Sequence, residues 1–240
     1  MKMHTFAASA ALLALALPAS AAPPKGTYAA VLLGTSQNDR SDIHVKGPNT
    51  NATFRGVNWA MHPFESAPYY VIKIGTPVPK RTGWDLEIDF THSKAIALTD
   101  QTVGASGTWK GDPLPATLPL DTHLQKVRFT NGVNILSVLP VRRFAPPTAR
   151  IQPYAGAGPA YFVIWSVNVA DDVRRHARYH GAGFGWTGVA GVRGRIREGL
   201  SWNLEAKVTD GPADVPAGTD LRLTTRIRTR HETLGLVWNY

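Results

Sequence analysis

Hydrophobic and polar residues alternate along most of this chain. Trp84, Leu86, Ile88 and Phe90, for example, alternate with charged or hydroxyl side chains across residues 84–91. Successive side chains of a β-strand point to opposite faces, so each such segment has one apolar and one polar face. Helical periodicity is almost absent. The pattern therefore predicts an all-β protein.

Eight alternating segments can be counted back from the C-terminus. They lie near 27–35, 52–77, 83–95, 130–144, 150–169, 183–197, 199–209 and 219–240, with long connections at 36–51, 96–129, 170–182 and 210–218. The remaining connections are short, so short and long ones alternate, as do the periplasmic turns and extracellular loops of outer-membrane barrels. We predict an eight-stranded antiparallel transmembrane up-and-down β-barrel with long extracellular loops. A soluble β-sandwich stays open, because alternation alone does not exclude it.

The last strand carries an apolar face up to the final residue. Leu234, Leu236, Trp238 and Tyr240 share one parity. Outer-membrane barrels commonly end on an aromatic residue that lies at the membrane interface. This predicts a protein of the Gram-negative outer membrane, inserted by the barrel-assembly machinery.

The first residues have the pattern of an export signal. A short basic start is followed by an apolar stretch, Pro18 and the small residues Ala19, Ser20 and Ala21. The apolar stretch is shorter than the roughly 20 residues that a membrane helix needs, although an N-terminal anchor helix is the alternative. We predict a signal peptide over 1–21 and one barrel domain over 22–240.

Composition indicates the environment and the partner. The chain has no cysteine, which suits export into an oxidising compartment, and its formal net charge is +9. Removal of Lys2 with the signal peptide leaves about +8. Such a charge favours an anionic partner, and the export signal makes anionic lipid a better candidate than nucleic acid. We expect no nucleic-acid partner.

Charged residues occupy the predicted inward faces of several strands. The acids are Asp85, Glu87, Asp89 and Glu205, and the bases are Lys73, Arg193, Arg195 and Lys207. Buried charges persist only when they are paired, so this balance predicts an ion-paired plug in a narrow lumen. A catalytic dyad inside the barrel is the functional alternative.

Three arginines lie on the predicted outward face of the last strand. Arg226, Arg228 and Arg230 share the parity of Trp238 and are therefore predicted to point outward, near the upper edge of the apolar band. Outward guanidinium groups at that height can bind the phosphates of lipopolysaccharide. General anchoring at the interface is the alternative, and a bulge in the strand would reverse their direction.

Polar residues gather at the predicted extracellular ends of the second, third and fourth strands. They are His62, Glu65, His92, Lys94, Asn131 and Asn134. A histidine beside a carboxylate suits acid–base chemistry or a metal site with nitrogen and oxygen ligands. No pair has a diagnostic metal-ligand spacing. A polar rim without chemistry is the alternative.

The segments 64–70, 89–94, 129–136 and 153–158 together resemble the lipid A oxidase family of outer-membrane barrels. The resemblance implies oxidation of the proximal glucosamine of lipid A to an aminogluconate unit, with molecular oxygen as co-substrate and a divalent metal ion as one option for the cofactor. The chain departs from the family at Asn131, where aspartate is expected, and at Val71, where glycine is usual.

The resemblance also implies roles for the polar residues. His62, Glu65 and His92 would transfer protons or bind metal, and Asn131 and Asn134 would orient the sugar. Lys94 and the three outward arginines would bind the substrate, lipopolysaccharide. The alternative is a non-enzymatic barrel with a structural or surface-binding role. A pore is disfavoured by the inward charges, and a serine hydrolase is disfavoured because His92 and Ser93 are adjacent and point to opposite faces of a strand.

Overall fold

The structure is a computed structural model that describes residues 26–64, 68–146 and 148–240, without the side chains of 176–178. The predicted signal peptide, 1–21, lies outside the described residues. The strands are β1 (Tyr28–Asn38), β2 (Ser41–Gly47), β3 (Thr50–Val57), β4 (Trp59–Ala60), β5 (Tyr70–Pro77), β6 (Trp84–Ala97), β7 (Thr102–Trp109), β8 (Asp112–Pro113), β9 (Thr117–Pro119), β10 (Leu124–Arg143), β11 (Ile151–Ala170), β12 (Val173–Arg197), β13 (Leu200–Ala217) and β14 (Leu221–Asn239). A 3₁₀ turn, Leu120–Thr122, precedes β10.

Eight of these strands close into a ring. Their order is β1, β5, β6, β10, β11, β12, β13 and β14, and all neighbours are antiparallel. The last strand closes the ring on the first, from Tyr28 opposite Asn239 to Asn38 opposite Thr229. The predicted eight-stranded barrel is confirmed, and the closed ring excludes a two-sheet sandwich. No helix in the described ranges is long and apolar enough to cross a membrane.

The outer surface of the ring carries an apolar belt. Exposed large apolar side chains occur on every strand of the ring: Val31, Leu33, Ile72, Leu86, Ile88, Leu136, Val138, Tyr161, Phe184, Trp186, Leu204, Leu234 and Leu236. Trp84, Trp238 and Tyr240 lie near the end with the short turns, where Gly26 donates a backbone hydrogen bond to Tyr240. In water so large an apolar surface would be unfavourable, whereas in a bilayer it is the lipid-facing band.

The lumen is filled by paired charges. Lys73 Nζ lies 3.2 Å from Glu87 Oε2 and 3.3 Å from Asp89 Oδ2, and it also contacts Glu205. Lys207 Nζ lies 2.7 Å from Asp89 Oδ2, and Arg193 Nη2 lies 3.6 Å from Glu87 Oε1. The predicted ion-paired plug is therefore present.

One predicted member of the plug lies elsewhere. Arg195 has inward parity, but it is exposed at the periplasmic mouth, where it donates a hydrogen bond to the carbonyl of Thr148. Arg143, rather than Arg195, forms the ion pair with the inward acid Asp85, with Nη2 3.1 Å from Asp85 Oδ1. Parity identifies the face of a strand but not the depth at which its side chains end.

The extracellular end carries a second structured region, which we call the dome. It consists of β2, β3, β7, β8 and β9 together with the upper ends of the ring strands. The upper part of β14 pairs with β2, β2 pairs with β3, and β3 pairs with β7. Beneath these strands lies an apolar core whose larger members are Ile43, Val45, Phe54, Trp59, Val103, Trp109, Leu120, Leu124, Val127, Phe129, Phe162, Val215 and Leu223. The segments 36–51 and 96–129, predicted to be loops, thus contain much of a folded sheet.

Three predicted strand boundaries were wrong. The segment 170–182, predicted to be a loop, belongs to β12 from Val173 onward and pairs with β11. The segment 52–77 is not one long strand, because β3 leaves the barrel to pair with β7, and Pro63 and Pro68 lack the N–H groups that would continue a ladder. The segment 210–218, predicted to be a loop, continues β13 to Ala217, paired with β14 throughout. Its Ala213, Val215 and Ala217 point into the dome core, so Pro212 and Pro216, at the alternate positions, face outward.

Candidate functional site

A bulge in β10 shapes the wall where the predicted rim residues lie. Phe129 pairs with Ala95 of β6 and Val133 pairs with Ser93, so the three residues 130–132 stand opposite Lys94 alone. Gly132 adopts a φ of +127°, a conformation that residues with a Cβ rarely adopt. A Cβ at this position would lie 2.7 Å from His92 Cε1. The bulge therefore brings the backbone against the imidazole.

His92 and Asn134 are joined by a hydrogen bond across this bulge. His92 Nδ1 lies 2.8 Å from Asn134 Oδ1, and Asn134 Nδ2 donates to the carbonyl of Val163 at 3.3 Å. Since the Val163 carbonyl can only accept, it sets the amide so that Oδ1 faces the ring and Nδ1 carries the proton. In the neutral imidazole Nε2 is then the basic nitrogen.

The pair lies on the outside of the barrel rather than in its lumen. His92 follows Trp84, Leu86, Ile88 and Phe90 on the outward face of β6, while Thr91 and Ser93 point inward. Ser93 Oγ lies 3.2 Å from Ser36 Oγ, so it does not face His92, as predicted from their adjacency. The change from apolar to polar side chains along this face marks the upper edge of the belt, at the level of the lipid headgroups.

Tyr70 is a member of this site that the sequence analysis missed. Its ring stacks on His92 with centroids 5.2 Å apart and planes 10° apart, and the two residues are directly paired across β5 and β6. His92 is 5% exposed as a result. Tyr70 ends the segment 64–70, one of those that resemble the lipid A oxidase family, so the sequence did point to this region. Only the strand register shows which of the two adjacent tyrosines, Tyr69 or Tyr70, faces outward.

The other predicted rim residues contribute differently. Lys94 is 3% exposed and its Nζ donates to the carbonyl of His62 at 3.0 Å, so it holds the chain before β5 against the wall. His62 itself is exposed. Asn131 is also exposed, and its carbonyl accepts a hydrogen bond from the Tyr179 hydroxyl at 3.0 Å. Glu65 lies outside the described residues.

The described residues do not assemble a metal site. Within 26–64, 68–146 and 148–240, no three histidine, aspartate or glutamate side chains are grouped closely enough to hold an ion. The partner of His92 Nδ1 is an amide oxygen, a weak ligand compared with a carboxylate. The divalent metal suggested by the family resemblance thus has no ligand set among these residues.

The three predicted arginines of β14 do point outward. Each is more than half exposed, and the pairing of β14 with β13 runs without a register shift from Trp238 to Leu221. Each also has an acidic neighbour. Arg226 Nε lies 2.6 Å from Asp210 Oδ1, and both Arg228 and Arg230 contact Asp39. The arginines are therefore held in place, with part of each guanidinium directed to the surroundings.

Comparisons with known proteins extend only to solved structures. No family model and no curated protein matches the sequence. Neisserial surface protein A is similar at 10% identity and a TM-score of 0.45, over 90% of this chain and 98% of that one. The N-terminal barrel domain of Pseudomonas aeruginosa OprF has 14% identity and a TM-score of 0.39, over 86% and 100%. Ail of Yersinia pestis has 8% identity and a TM-score of 0.34, over 87% and 99%.

The class of the protein follows from its own architecture. A closed antiparallel ring of eight strands and an apolar belt on every strand are the features of a Gram-negative outer-membrane β-barrel. The fold and the location predicted from the sequence are thereby confirmed.

Proposed function

We propose that this barrel modifies lipid A in the outer leaflet, by oxidising the proximal glucosamine to an aminogluconate unit with molecular oxygen. The observation that supports this proposal is the hydrogen-bonded pair of His92 and Asn134 on the lipid-facing wall. Polar side chains on that surface are unfavourable beside acyl chains, whereas a lipid headgroup at the same height provides polar partners.

The acyl chains of such a substrate have a surface to lie against. Directly below the pair on the same strands are Phe90 on β6, Leu136 on β10 and Ile72 on β5, all with outward parity. A lipid whose chains pack along these side chains would hold its sugar beside His92. Binding of the chains and positioning of the sugar would thus be performed by neighbouring rows of one wall.

Oxidation of the hemiacetal at the anomeric carbon to a lactone removes two electrons and two protons, which reduce molecular oxygen to hydrogen peroxide. Hydrolysis of the lactone by water then gives the aminogluconate unit, so the product gains one oxygen atom net. Molecular oxygen accepts the electrons in the proposed reaction. His92 is the proposed proton acceptor through Nε2, an atom buried beneath the wall surface, because Asn134 holds the proton of the neutral ring on Nδ1. Tyr70 fixes the plane of the ring. His62, Glu65 and Asn131 remain proposed participants in the reaction.

The outward arginines are proposed to hold substrate phosphates. Guanidinium groups bind phosphate oxygens in pairs, and Arg226 and Arg230 are each held by an aspartate that leaves much of the group exposed. Lys94, which is buried against the carbonyl of His62, is better suited to hold the loop than to contact phosphate.

Mass spectrometry of lipid A tests the proposal. Matched cells with and without the gene should differ by one oxygen atom per lipid A molecule, and the difference should require oxygen. His92→Ala and Glu65→Ala should abolish the change, whereas His44→Ala, an exposed histidine of β2 in the dome, should retain it. Unchanged lipid A from cells with correctly folded protein would contradict the proposal.

That contradicting result would favour the second candidate, a non-enzymatic barrel that binds a surface ligand. The observation in favour of this candidate is the dome, whose β-sheet and apolar core give the extracellular end a fixed shape. Its outer face carries charged side chains such as Lys46, Arg55 and Arg222.

A further inference from the structure

A cavity of about 470 Å³ opens at the periplasmic end of the barrel. It lies far along the strands from the pair of His92 and Asn134, which we call the outer-wall site. Its lining is strongly basic. Five arginines line it, namely Arg143, Arg150, Arg193, Arg195 and Arg197, together with two acids, Asp85 and Glu198. They come from the lower ends of several ring strands and the turns that join them. We call this cavity the periplasmic vestibule.

The vestibule has an excess of positive charge that the lumen does not have. Above it, Lys73 and Lys207 are paired with Glu87, Asp89 and Glu205, and Arg193 of the lining approaches Glu87. Arg150, Arg195 and Arg197 are exposed, and Glu198 is the exposed acid among the lining residues. Clefts lined by one sign of charge concentrate ions of the opposite sign.

Two arginines of the vestibule, Arg143 and Arg193, each also have one buried hydrogen-bond donor to spare. Arg143 approaches Asp85 and Arg193 approaches Glu87 through Nη2. The Nε of both arginines is buried, without a hydrogen-bond acceptor among the described residues. Arg193 is held rigidly, with its guanidinium carbon 4.0 Å from the ring centre of Tyr28. Buried donors without acceptors are unfavourable, and a bound anion would supply the acceptors.

We propose that the periplasmic vestibule is a binding site for a phosphate-bearing anion. Phosphate matches the planar guanidinium donors, and a group with more than one negative charge matches the excess of arginines. The cavity volume is that of an ordinary small-ligand site. The paired lumen above it stops the anion from passing further. The phosphate comes either from a soluble periplasmic compound or from a phospholipid headgroup of the inner leaflet. This site is independent of the proposed oxidation of lipid A.

Calorimetric titration of the purified barrel with pyrophosphate tests the proposal. The protein is reconstituted in nanodiscs of phosphatidylcholine, and we expect saturable binding to one site that weakens with added salt. Arg150→Gln and Arg197→Gln should each lower the affinity about fivefold or more, because each removes a charge-assisted contact. Both residues are exposed, so neither change disturbs the folded lumen.

Arg81→Gln is the matched control. Arg81 is an exposed arginine of the β5–β6 turn at the same end of the barrel, but it does not line the vestibule. It should leave the affinity unchanged. Absence of binding to the unaltered protein, or an equal loss in all three variants, would overturn the proposal, since the latter would mean diffuse attraction to a basic surface.

A second titration distinguishes the two sources of phosphate. The phosphate of phosphatidylcholine is neutralised by its own choline, whereas nanodiscs that contain phosphatidylglycerol present an anionic phosphate headgroup at the same membrane surface. If pyrophosphate binds more weakly in them and the difference disappears in Arg197→Gln, the headgroup occupies the vestibule. If the affinity is the same in both nanodiscs, the ligand is a soluble anion. Either result supports a phosphate site once specific binding has been measured.

Discussion

Lys207 of β13 and Asp89 of β6 form an ion pair across the lumen, with Nζ and Oδ2 2.7 Å apart. The two strands are not neighbours in the ring, so the pair ties opposite walls together. Lys207 also donates to Thr91 Oγ1 at 2.8 Å. Both charged side chains are fully buried, which makes each dependent on the other.

Lys207→Met should therefore destabilise the barrel by about 3–5 kcal/mol, because it leaves part of the charge of Asp89 buried without a partner. The free energy of unfolding in lipid vesicles, measured by urea titration, checks this. Lys46→Met removes an exposed lysine of β2 and should change the free energy by less than about 0.5 kcal/mol. Equal effects of the two substitutions would mean that the luminal pair contributes nothing.

The dome should unfold separately from the barrel when its core is weakened. Phe54 is fully buried, with its ring centroid 6.0 Å from that of Trp109, and Phe54→Ala should cost about 3–5 kcal/mol within the dome. Limited proteolysis of intact cells should then cleave the extracellular strands while the transmembrane ring persists. Phe64→Ala, at a residue that is 84% exposed, should leave the cleavage rate unchanged. Unaltered protection in Phe54→Ala would contradict a cooperative dome core.

Gly132 offers a test of the outer-wall site that does not remove a functional group. Gly132→Ala would force a Cβ against His92 and Asn134 in an unfavourable backbone conformation, so we expect their hydrogen bond to be lost. Lipid A oxidation should fall at least about tenfold, while the protein still inserts in the outer membrane. Gly104→Ala is the control, because its Cβ would meet only Arg55 Cβ, at 3.6 Å. Full activity of Gly132→Ala would mean that lipid A oxidation does not depend on the geometry of the bulge.

His123 should make the tip of the dome sensitive to acid. The pKa of His123 lies below its usual 6.5, chiefly because the side chain is partly buried. The negative charge of Asp171 raises this pKa, and the positive charge of Lys110 lowers it further. Since the folded state binds the proton less readily than the unfolded state, its stability is complete above about pH 6.5 and decreases as the pH falls toward the folded pKa. The His123 ring stacks on Trp109 of β7, with centroids 4.5 Å apart.

Hydrogen exchange of the β7 amides, corrected for the intrinsic rate, measures this sensitivity. Exchange should be faster at about pH 5 than at about pH 7.5. His123→Gln should remove the difference, because glutamine does not titrate. His44→Gln, at an exposed histidine that contacts Thr53, should keep it. A pH dependence that survives in His123→Gln would assign the effect to other groups.

The outward arginines should affect binding of lipopolysaccharide more than folding. Arg226→Gln combined with Arg230→Gln removes two exposed charges, and we expect the affinity for lipopolysaccharide to fall about tenfold with a smaller dependence on salt. The same double change should alter the free energy of unfolding by about 1 kcal/mol or less, because exposed ion pairs contribute little. Arg55→Gln on the dome is the control, and an equal loss of affinity there would argue against a site on β14.

The sequence predicted the faces of the strands better than the ends. Lys73, Asp89 and Glu205 were assigned to the lumen from parity alone, and the structure places them there in mutual contact. Ala213 and Val215 have the same alternation, but the surrounding glycine and prolines suggested a loop. Because β14 continues beside them and provides a complete ladder, these residues lie in a strand.

The candidate site was predictable in part. His92 and Asn134 were both expected at the extracellular ends of their strands, but only the structure shows that they are paired and lie on the outer wall. The three-residue bulge opposite Lys94 determines this arrangement, and no local pattern marks its length. Tyr70 became part of the site only because the register pairs it with His92.

The sequence by itself determined the eight transmembrane strands, the lipid-facing side of each and the charged content of the lumen. These properties depend on the order of apolar and polar residues within single strands, which the period of two makes readable. The tertiary structure alone decided that β2 pairs with the upper part of β14 and so begins the dome. It also decided that Arg143 rather than Arg195 pairs with Asp85, and that His92 contacts Asn134 on the outside of the barrel. Those outcomes depend on pairings between distant segments, and the energy that selects them arises only when the strands have come together.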